Sequence, residues 1–492
     1  MQQCRRPVFG CCAIVWLACV AYPIASQAET RVGVAEADIT PPPGFPMAGY
    51  YYERLATGTH DPLKAKAVVF VGDADQAAIV VCDLTGVAAD LTSEVRRRAA
   101  EKTGIPAPNI VVCATHSHTA PDYGKDLYEQ LAGKVDANKP RYSQTLINRI
   151  VEAIVNAKQA AGPVSLLAGT ATQTTPISFN RRFVMRDGSV RTWMDLKNPD
   201  VVRPAGPIDP EVALLLVRSA QNEQPLGIFS NFALHLDTVG GLNWSGDYPY
   251  YVEQELRKSL GAGVISIFGN GCCGDINHND PSRRQRNRTD FIGNSLAATI
   301  KAGVATLHPV EKPVLRVRRT TVHLPLPEIS AADVKRAELL LKSVRAGQKL
   351  DFFEHVAAYK TVMLDGLRNH SPFSHPEDYL KVGLSHTLAG SGDSLPVDVH
   401  AICLGKDVAI VCLPGEVFVD LGLAIKRGSP FRTTLVVELS NCVETLYIPT
   451  RGAYAGGGYE VTNSAVQPGS GEALVECALR LLRAAASDTT QH

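Results

Sequence analysis

IVVCATHSHTAPD, residues 110–122, is the stretch from which the remainder of the chain can be understood. Ile110 to Ala114 is a short apolar run of the kind that makes a buried strand. It ends in Thr115-His116-Ser117-His118, and Pro121 stops any continuation. In extended backbone, residues two apart point to one side. The spacing therefore predicts that His116 and His118 present two imidazoles to one spot at a strand end. Imidazole suits zinc, and a catalytic zinc keeps about three protein ligands plus an open water position. A pair of satisfied polar residues in a turn fits the same letters, so spacing alone leaves both readings open.

Further along the chain the pattern returns. Asn231-Phe232-Ala233-Leu234-His235 is again an apolar run delivering a histidine, although His235 by itself reads more simply as a core or turn residue. Val408 to Leu413 is a buried strand that ends in Pro414-Gly415-Glu416, ahead of the apolar-faced segment Val417 to Ile425. Glu416 reads as a ligand or as a helix-initiating residue favoured by the helix dipole. His116, His235 and Glu416 thus all stand at or just beyond strand ends, where sites of open α/β sheets assemble. Asp83, closing the run Ala77 to Cys82, reads equally as a carboxylate supporting a metal ligand or as a turn residue. Arg181 and Arg182 lie in the turn-like Ser178 to Arg182, as a solvated pair or an oxyanion clamp. The Gly-rich turn Gly269 to His278 lets backbone approach a ligand, but no Gly-Lys-Ser or Gly-Lys-Thr marks a phosphate loop. Cys272 and Cys273 within it read as tight-turn residues.

The apolar runs from Arg31, Ala65 to Val71, Val164 to Ala168, Val212 to Val217, Gly227 to Leu234, Val264 to Phe268, Val399 to Leu404 and Leu435 to Leu439 predict further strands. Helical spacing predicts helices over Thr92 to Thr103, Ser143 to Ala160 and Gly471 to Ala486, with two more between Ser330 and about Leu367. The expected fold is α/β: a layered mixed sheet with flanking helices and a helical insertion, in a single large catalytic domain over residues 29–492.

Residues 1–28 carry the marks of an export signal, with Arg5-Arg6, an apolar run from Cys11 to Tyr22 and the small-x-small site Ser26-Gln27-Ala28. That run is too short for a membrane span. A secreted or periplasmic protein without a transmembrane segment is expected, peripheral membrane contact staying open. Lys+Arg and Asp+Glu number 49 each, and removing Arg5 and Arg6 leaves 47 against 49, so charge gives no support to a nucleic-acid partner. Of 12 cysteines four precede residue 28; Cys82, Cys113, Cys403 and Cys412 sit in apolar runs and are expected as core packing.

From about Arg31 to Glu476 the chain resembles the neutral ceramidase family, the zinc-dependent amidases also called neutral/alkaline non-lysosomal ceramidases. The resemblance rests on VGVAEADIT, ATHSHTAPD, SFNRR, GPIDPEV, NFALH, GNGCCGDIN, LPGE and YIPTRGAY, all in the family's order. It implies a zinc held by His116, His235, Glu416 and Tyr447. It places His118 beside the metal as a hydrogen-bonding or proton-transfer group, and Arg181 and Tyr459 at the substrate carbonyl. Where the family has a serine two residues after its Gly-Asp turn, this chain has Asn277. An amide cannot be the nucleophile, so metal-activated water is the expected attacking group, with Asn277 donating a hydrogen bond to substrate. The C-terminal immunoglobulin-like domain of characterised relatives is not expected here. The implied activity is cleavage of an amide, ceramide-like N-acyl lipid being one substrate and a small amide or a sugar-linked ester the alternative. A binding protein on the same scaffold is the rival class, and an amidohydrolase-type barrel lacks its eight strand-helix repeats here. The oligomeric state is not readable.

Overall fold

The computed structural model describes residues 2, 30–133, 141–283, 286–371 and 385–487, so the export signal expected at residues 1–28 lies outside its scope apart from Gln2. The apolar runs form two mixed sheets. In the larger, β1 (Arg31–Asp38), β2 (Lys64–Val71), β3 (Gln76–Cys82) and β4 (Ile110–Ala114) make one half. The other half is β5 (Gly162–Thr172), β6 (Glu211–Ser219), β7 (Pro225–Phe232) and β8 (Ile265–Asn270). Their order is β8-β7-β6-β5-β1-β2-β3-β4, with the short strand His308–Pro309 paired beside β5. The second sheet runs β9 (Leu315–Pro325), β10 (Ser394–Leu404), β11 (Val408–Cys412), β12 (Thr433–Val437).

Alternation along the strands builds the layers. Phe70, Ile79, Val81, Val111 and Cys113 turn to one side of the large sheet, where they share a core with Ile402, Leu404, Ile410, Cys412 and Leu435 of the second. Ala67, Val69, Ala78, Val80 and Val112 turn to the other side, onto α1 (Ala89–Thr103) and α2 (Tyr142–Gln159). α3 (Tyr248–Leu260) and α4 (Thr289–Val304) cover the β6–β8 half. The outer face of the second sheet is covered by α7 (Val419–Gly428) and α8 (Ser470–Ser487). The result is an α/β/β/α stack, and each fully buried aliphatic or aromatic side chain contributes roughly 1.5–3 kcal/mol to it. The expected insertion is the antiparallel pair α5 (Ala331–Arg345) and α6 (Phe352–Asn369), with its own small core of Ala337, Leu341, Ala358 and Val362. All eight cysteines from Cys82 to Cys477 are free and buried, as expected of the four in strands.

Three neighbouring pairs are parallel: β3 with β4, β7 with β8, and β11 with β12. Their following loops are laced together by backbone hydrogen bonds. Ala114 N–H donates to Leu439 O at 3.1 Å, Glu438 N–H to Asn270 O at 3.0 Å, and Gly274 N–H to Val417 O at 2.9 Å. Side chains from distant parts of the chain meet at this seam.

Candidate metal and catalytic site

His116 does not sit in extended backbone, as the spacing argument assumed. Its φ is 78°, in the left-handed region, with its N–H bonded to Leu84 O at 2.9 Å. A non-glycine residue in this conformation carries strain of about 1–3 kcal/mol and is found where surrounding structure enforces it. His116 and His118 nevertheless converge, with Nε2 atoms 3.3 Å apart. His235 joins them, its Nε2 3.0 Å from that of His116. The three imidazoles form a group whose nitrogens lie within 4.8 Å of one another and could hold a metal ion.

Hydrogen bonds to the other ring nitrogens settle the tautomers. His116 Nδ1–H donates to Thr85 O at 2.6 Å, and His235 Nδ1–H to Cys273 O at 3.2 Å. Both Nε2 atoms then aim lone pairs at one point, the arrangement usual for metal-ligating histidines. Glu416 Oε2 lies 3.3 Å from His116 Nε2 and 3.5 Å from His235 Nε2, is buried, and has no hydrogen-bond partner among the described residues. Two facing lone pairs and a buried carboxylate oxygen make a set that a metal ion could join. The donor set, imidazole nitrogen and carboxylate oxygen, is one that zinc accepts.

Glu416 and Tyr447 are paired residues of a two-residue parallel bridge, Glu416–Val417 against Tyr447–Ile448, so backbone register sets them side by side. Arg181 completes the floor. Its Nη2 donates to Tyr447 Oη at 3.0 Å and to Gly274 O at 2.9 Å, its Nε to Glu460 at 2.7 Å, and its Nη1 lies 3.2 Å from His235 Nε2. Tyr459 Oη stands 3.4 Å from both Tyr51 Oη and Asn463 Nδ2. A cavity of about 210 Å³ is lined by His116, His118, Glu416, Tyr447, Tyr459 and Tyr51 among others, and Tyr51 and Tyr359 also wall an adjoining cavity of about 450 Å³. A larger open groove of about 900 Å³, beside Thr170–Thr172 and α4, contains none of these residues and has no comparable chemistry.

Electrostatics follow from burial and the charges enclosed. Burial, then the Arg181 guanidinium, holds His235 well below the ordinary histidine range; burial, then His116, does the same to His118. For His116 burial is outweighed by the Glu416 carboxylate, and its pKa is raised. Glu416 is correspondingly lowered, His116 overcoming its burial. Burial, then Glu416, pushes the Tyr447 phenol well up. The lowered His118 and His235 favour neutral imidazoles and the lowered Glu416 an ionised carboxylate, the protonation states a metal requires, whereas His116, raised by Glu416, would have to give up its proton to a metal.

Of the residues singled out from sequence, His116, His118, His235, Glu416, Tyr447, Arg181 and Tyr459 are brought together. Asn277 is not in the histidine cavity. It pairs with Phe179, its Oδ1 accepts from Asn279 N–H at 3.1 Å, and it lines a separate cavity of about 160 Å³ that Arg181 also borders. Asp83 touches none of the histidines: it accepts from Lys64 N–H at 2.8 Å and lies 3.3 Å from Thr115 Oγ1, and burial pushes it up to about 6. Glu460, the buried ion-pair partner of Arg181, and Trp193, whose ring lies 4.9 Å from that of Tyr459, were not read from sequence. Glu460 adjoins Tyr459 in the chain and was the nearest available signal.

Fold and site together define a layered α/β protein with a metal-competent histidine centre at the strand ends. The family described as "Neutral/alkaline non-lysosomal ceramidase, N-terminal" matches residues 30–289, more than half of the 492-residue chain, and the chain belongs to it. The matched span holds all three histidines and Arg181; Glu416, Tyr447 and Tyr459 lie beyond it. The crystal structure of neutral ceramidase from Pseudomonas aeruginosa superposes with a TM-score of 0.68 at 19% identity, covering 95% of this chain and 75% of that one. A structure described as ceramidase complexed with C2 gives 0.66 at 19% identity, covering 94% and 76%. No curated protein matches the chain.

Proposed function

We propose that this protein is an exported, zinc-dependent hydrolase that cleaves the amide of an N-acyl lipid of the ceramide class with water as nucleophile. The observation that carries it is the buried convergence of His116 Nε2 and His235 Nε2, 3.0 Å apart, on an unpartnered Glu416 oxygen. Family membership supplies the amide. In this reading His116, His235, Glu416 and Tyr447 hold the metal, which supplies Lewis acidity and lowers the pKa of a nearby water. His118 takes the proton of the attacking water and returns it to the leaving nitrogen. Arg181 and Tyr459 donate hydrogen bonds to the oxygen on which charge develops. Asn277, in the neighbouring cavity that Arg181 also borders, would donate a hydrogen bond to substrate. Residues 29–492 act as one catalytic domain after removal of residues 1–28, and among the described residues no helix is long and apolar enough to cross a membrane.

A small amide or an ester is the second reading, because the histidine cavity alone, about 210 Å³, is small for a whole lipid. The aromatic-walled adjoining cavity of about 450 Å³ favours the lipid. A panel of N-acyl lipids, small amides and esters separates them.

Metal analysis of purified protein and of three variants tests the centre. His116→Ala and His235→Ala lose metal and activity together, whereas His118→Ala keeps metal and loses rate. Full activity in metal-free protein overturns the proposal. Loss of metal in His118→Ala makes it a ligand instead. Mass spectrometry of exported protein should find a terminus near Glu29; an intact Met1 would refute cleavage.

A further inference from the structure

His118 is held by a brace that the metal set does not explain. The segment Ala48–Arg54 wraps over it: Gly49, at φ 95°, lies so close that a Cβ there would meet the His118 Cα and side chain at 2.9 Å. Arg54 Nη2 donates to His118 O at 2.6 Å, and the Arg54 guanidinium carbon lies 4.2 Å from the centre of the Tyr50 ring. Tyr50 in turn donates its hydroxyl proton to Asp237 Oδ1 at 2.6 Å, and its ring meets the His118 ring edge-on at 5.8 Å. That same Asp237 Oδ1 lies 3.9 Å from His118 Nδ1, a buried ring nitrogen with no hydrogen-bond partner among the described residues. The circuit Arg54, Tyr50, Asp237, His118 is therefore closed except at its last link.

We infer that Asp237 is the positioning residue of His118, accepting a hydrogen bond from Nδ1–H when substrate binds, with Tyr50 holding the carboxylate in place. The inference rests on His118 being the proton-transfer group. Hydrogen bonds of this kind are often long in the unliganded protein and tighten in the substrate complex. The chemistry needs this orientation. With the Nδ1 proton committed to Asp237, the lone pair resides on Nε2, which faces His116 and the centre of the site. Nε2 can then accept one proton from the attacking water and deliver the same proton to the departing amine, leaving His118 as it began. With the other tautomer, Nε2 carries hydrogen and cannot accept.

The test uses full-length, metal-loaded protein and the variants Asp237→Asn, Asp237→Glu, Tyr50→Phe and His118→Ala, assayed on one N-acyl substrate. Asp237→Asn should lower kcat about 10- to 100-fold, the range for losing the partner that orients a site histidine, with KM and metal content unchanged. Asp237→Glu should recover part of that loss, and Tyr50→Phe should lower kcat less. Independently of turnover, ¹⁵N spectra of the imidazoles in metal-loaded protein should show His118 protonated at Nδ1, and a mixture of tautomers in Asp237→Asn. Unchanged kcat in Asp237→Asn, while His118→Ala is impaired, overturns the inference and leaves the role of His118 standing. Unimpaired His118→Ala overturns that role itself. Loss of metal in Asp237→Asn shows that the residue acts through His235, two positions away, and also overturns the inference.

Discussion

At the scale of single residues, Arg181 has the most to lose from a conservative change. Its planar fork reaches Glu460, Gly274 O, Tyr447 and His235 at once, which a lysine ammonium cannot do. Removing the charge altogether would strand Glu460, a buried carboxylate that among the described residues retains only Arg182 and Thr192. Arg181→Lys keeps that charge, so the fold should survive. Turnover should fall about 100- to 1,000-fold, the cost of one lost oxyanion donor, and circular dichroism alongside kcat checks the separation. Asn277 is the contrasting case. Its carbonyl oxygen serves Asn279, and it lies outside the histidine cavity. Asn277→Ala should therefore cost about 0.5–1.5 kcal/mol, one net hydrogen bond, seen as a drop in kcat/KM of about tenfold or less. Complete loss with metal retained would show a larger role. Comparing wild type with Asn277→Ser on ceramide tests whether a hydroxyl there shifts preference toward the lipid.

At the scale of elements, the site depends on two turns that close on Glu416. A Cβ on Gly274 would lie 2.6 Å from Glu416 O, and Gly415, at φ 61°, is packed against Thr445 and Leu446 O. The turn around Gly274 is pinned by Asp275, whose Oδ1 accepts from Val419 N–H at 2.9 Å and Oδ2 from Asn180 at 2.8 Å. Gly274→Ala must therefore shift the Gly274 turn or the backbone of Glu416 and Val417 that it meets. Overpacking of this kind costs about 1–3 kcal/mol, so the variant should melt earlier and bind metal more weakly. A variant with unchanged metal affinity would mean the bridge can yield without disturbing the site.

At the scale of the whole molecule, stability with pH reflects buried groups spread through all layers. His400, on β10, donates from Nε2 to Pro108 O at 2.9 Å, tying the second sheet to the segment before β4. Burial, then Arg96, lowers it to about 4, against about 6.5 in an unfolded chain. Between these values the unfolded chain binds more protons, so the contribution of His400 is complete above about pH 6.5 and is lost as pH falls toward 4. Asp83, Asp247 and Asp275, each pushed to about 6 by burial, act in the opposite direction over an overlapping range. The overall curve is thus a partial cancellation, and a difference isolates one group. Gln at position 400 keeps a donor for Pro108 but does not titrate. The stability gap between wild type and His400→Gln, from urea unfolding, should widen from pH 4 to 7 by about 3 kcal/mol at most. A gap independent of pH would contradict the shift.

Strands and several helices were legible locally: near-continuous apolar runs, buried on both faces, mark β2, β3, β6 and β11, and helical spacing with one buried face marks α2 and α8. α3, α4 and β9 were not anticipated. α3 opens on Tyr-Pro-Tyr-Tyr, α4 contains Gly293 and Gly303, and β9 carries Arg316, Arg318 and Arg319, compositions in which burial by neighbours overrides a weak local signal. The sequence by itself determined the α/β class and pointed to His116, His118, His235 and Glu416 through runs that end at strand ends, and to Arg181, Tyr447 and Tyr459 through motifs shared with the family. It could not determine the left-handed turn at His116, the register pairing Glu416 with Tyr447, the displacement of Asn277 to another cavity, or Asp237 facing His118. Those depend on three parallel strand pairs bringing loops far apart in the chain to one seam, and contacts between distant loops are set by packing and backbone hydrogen bonds that no local pattern encodes.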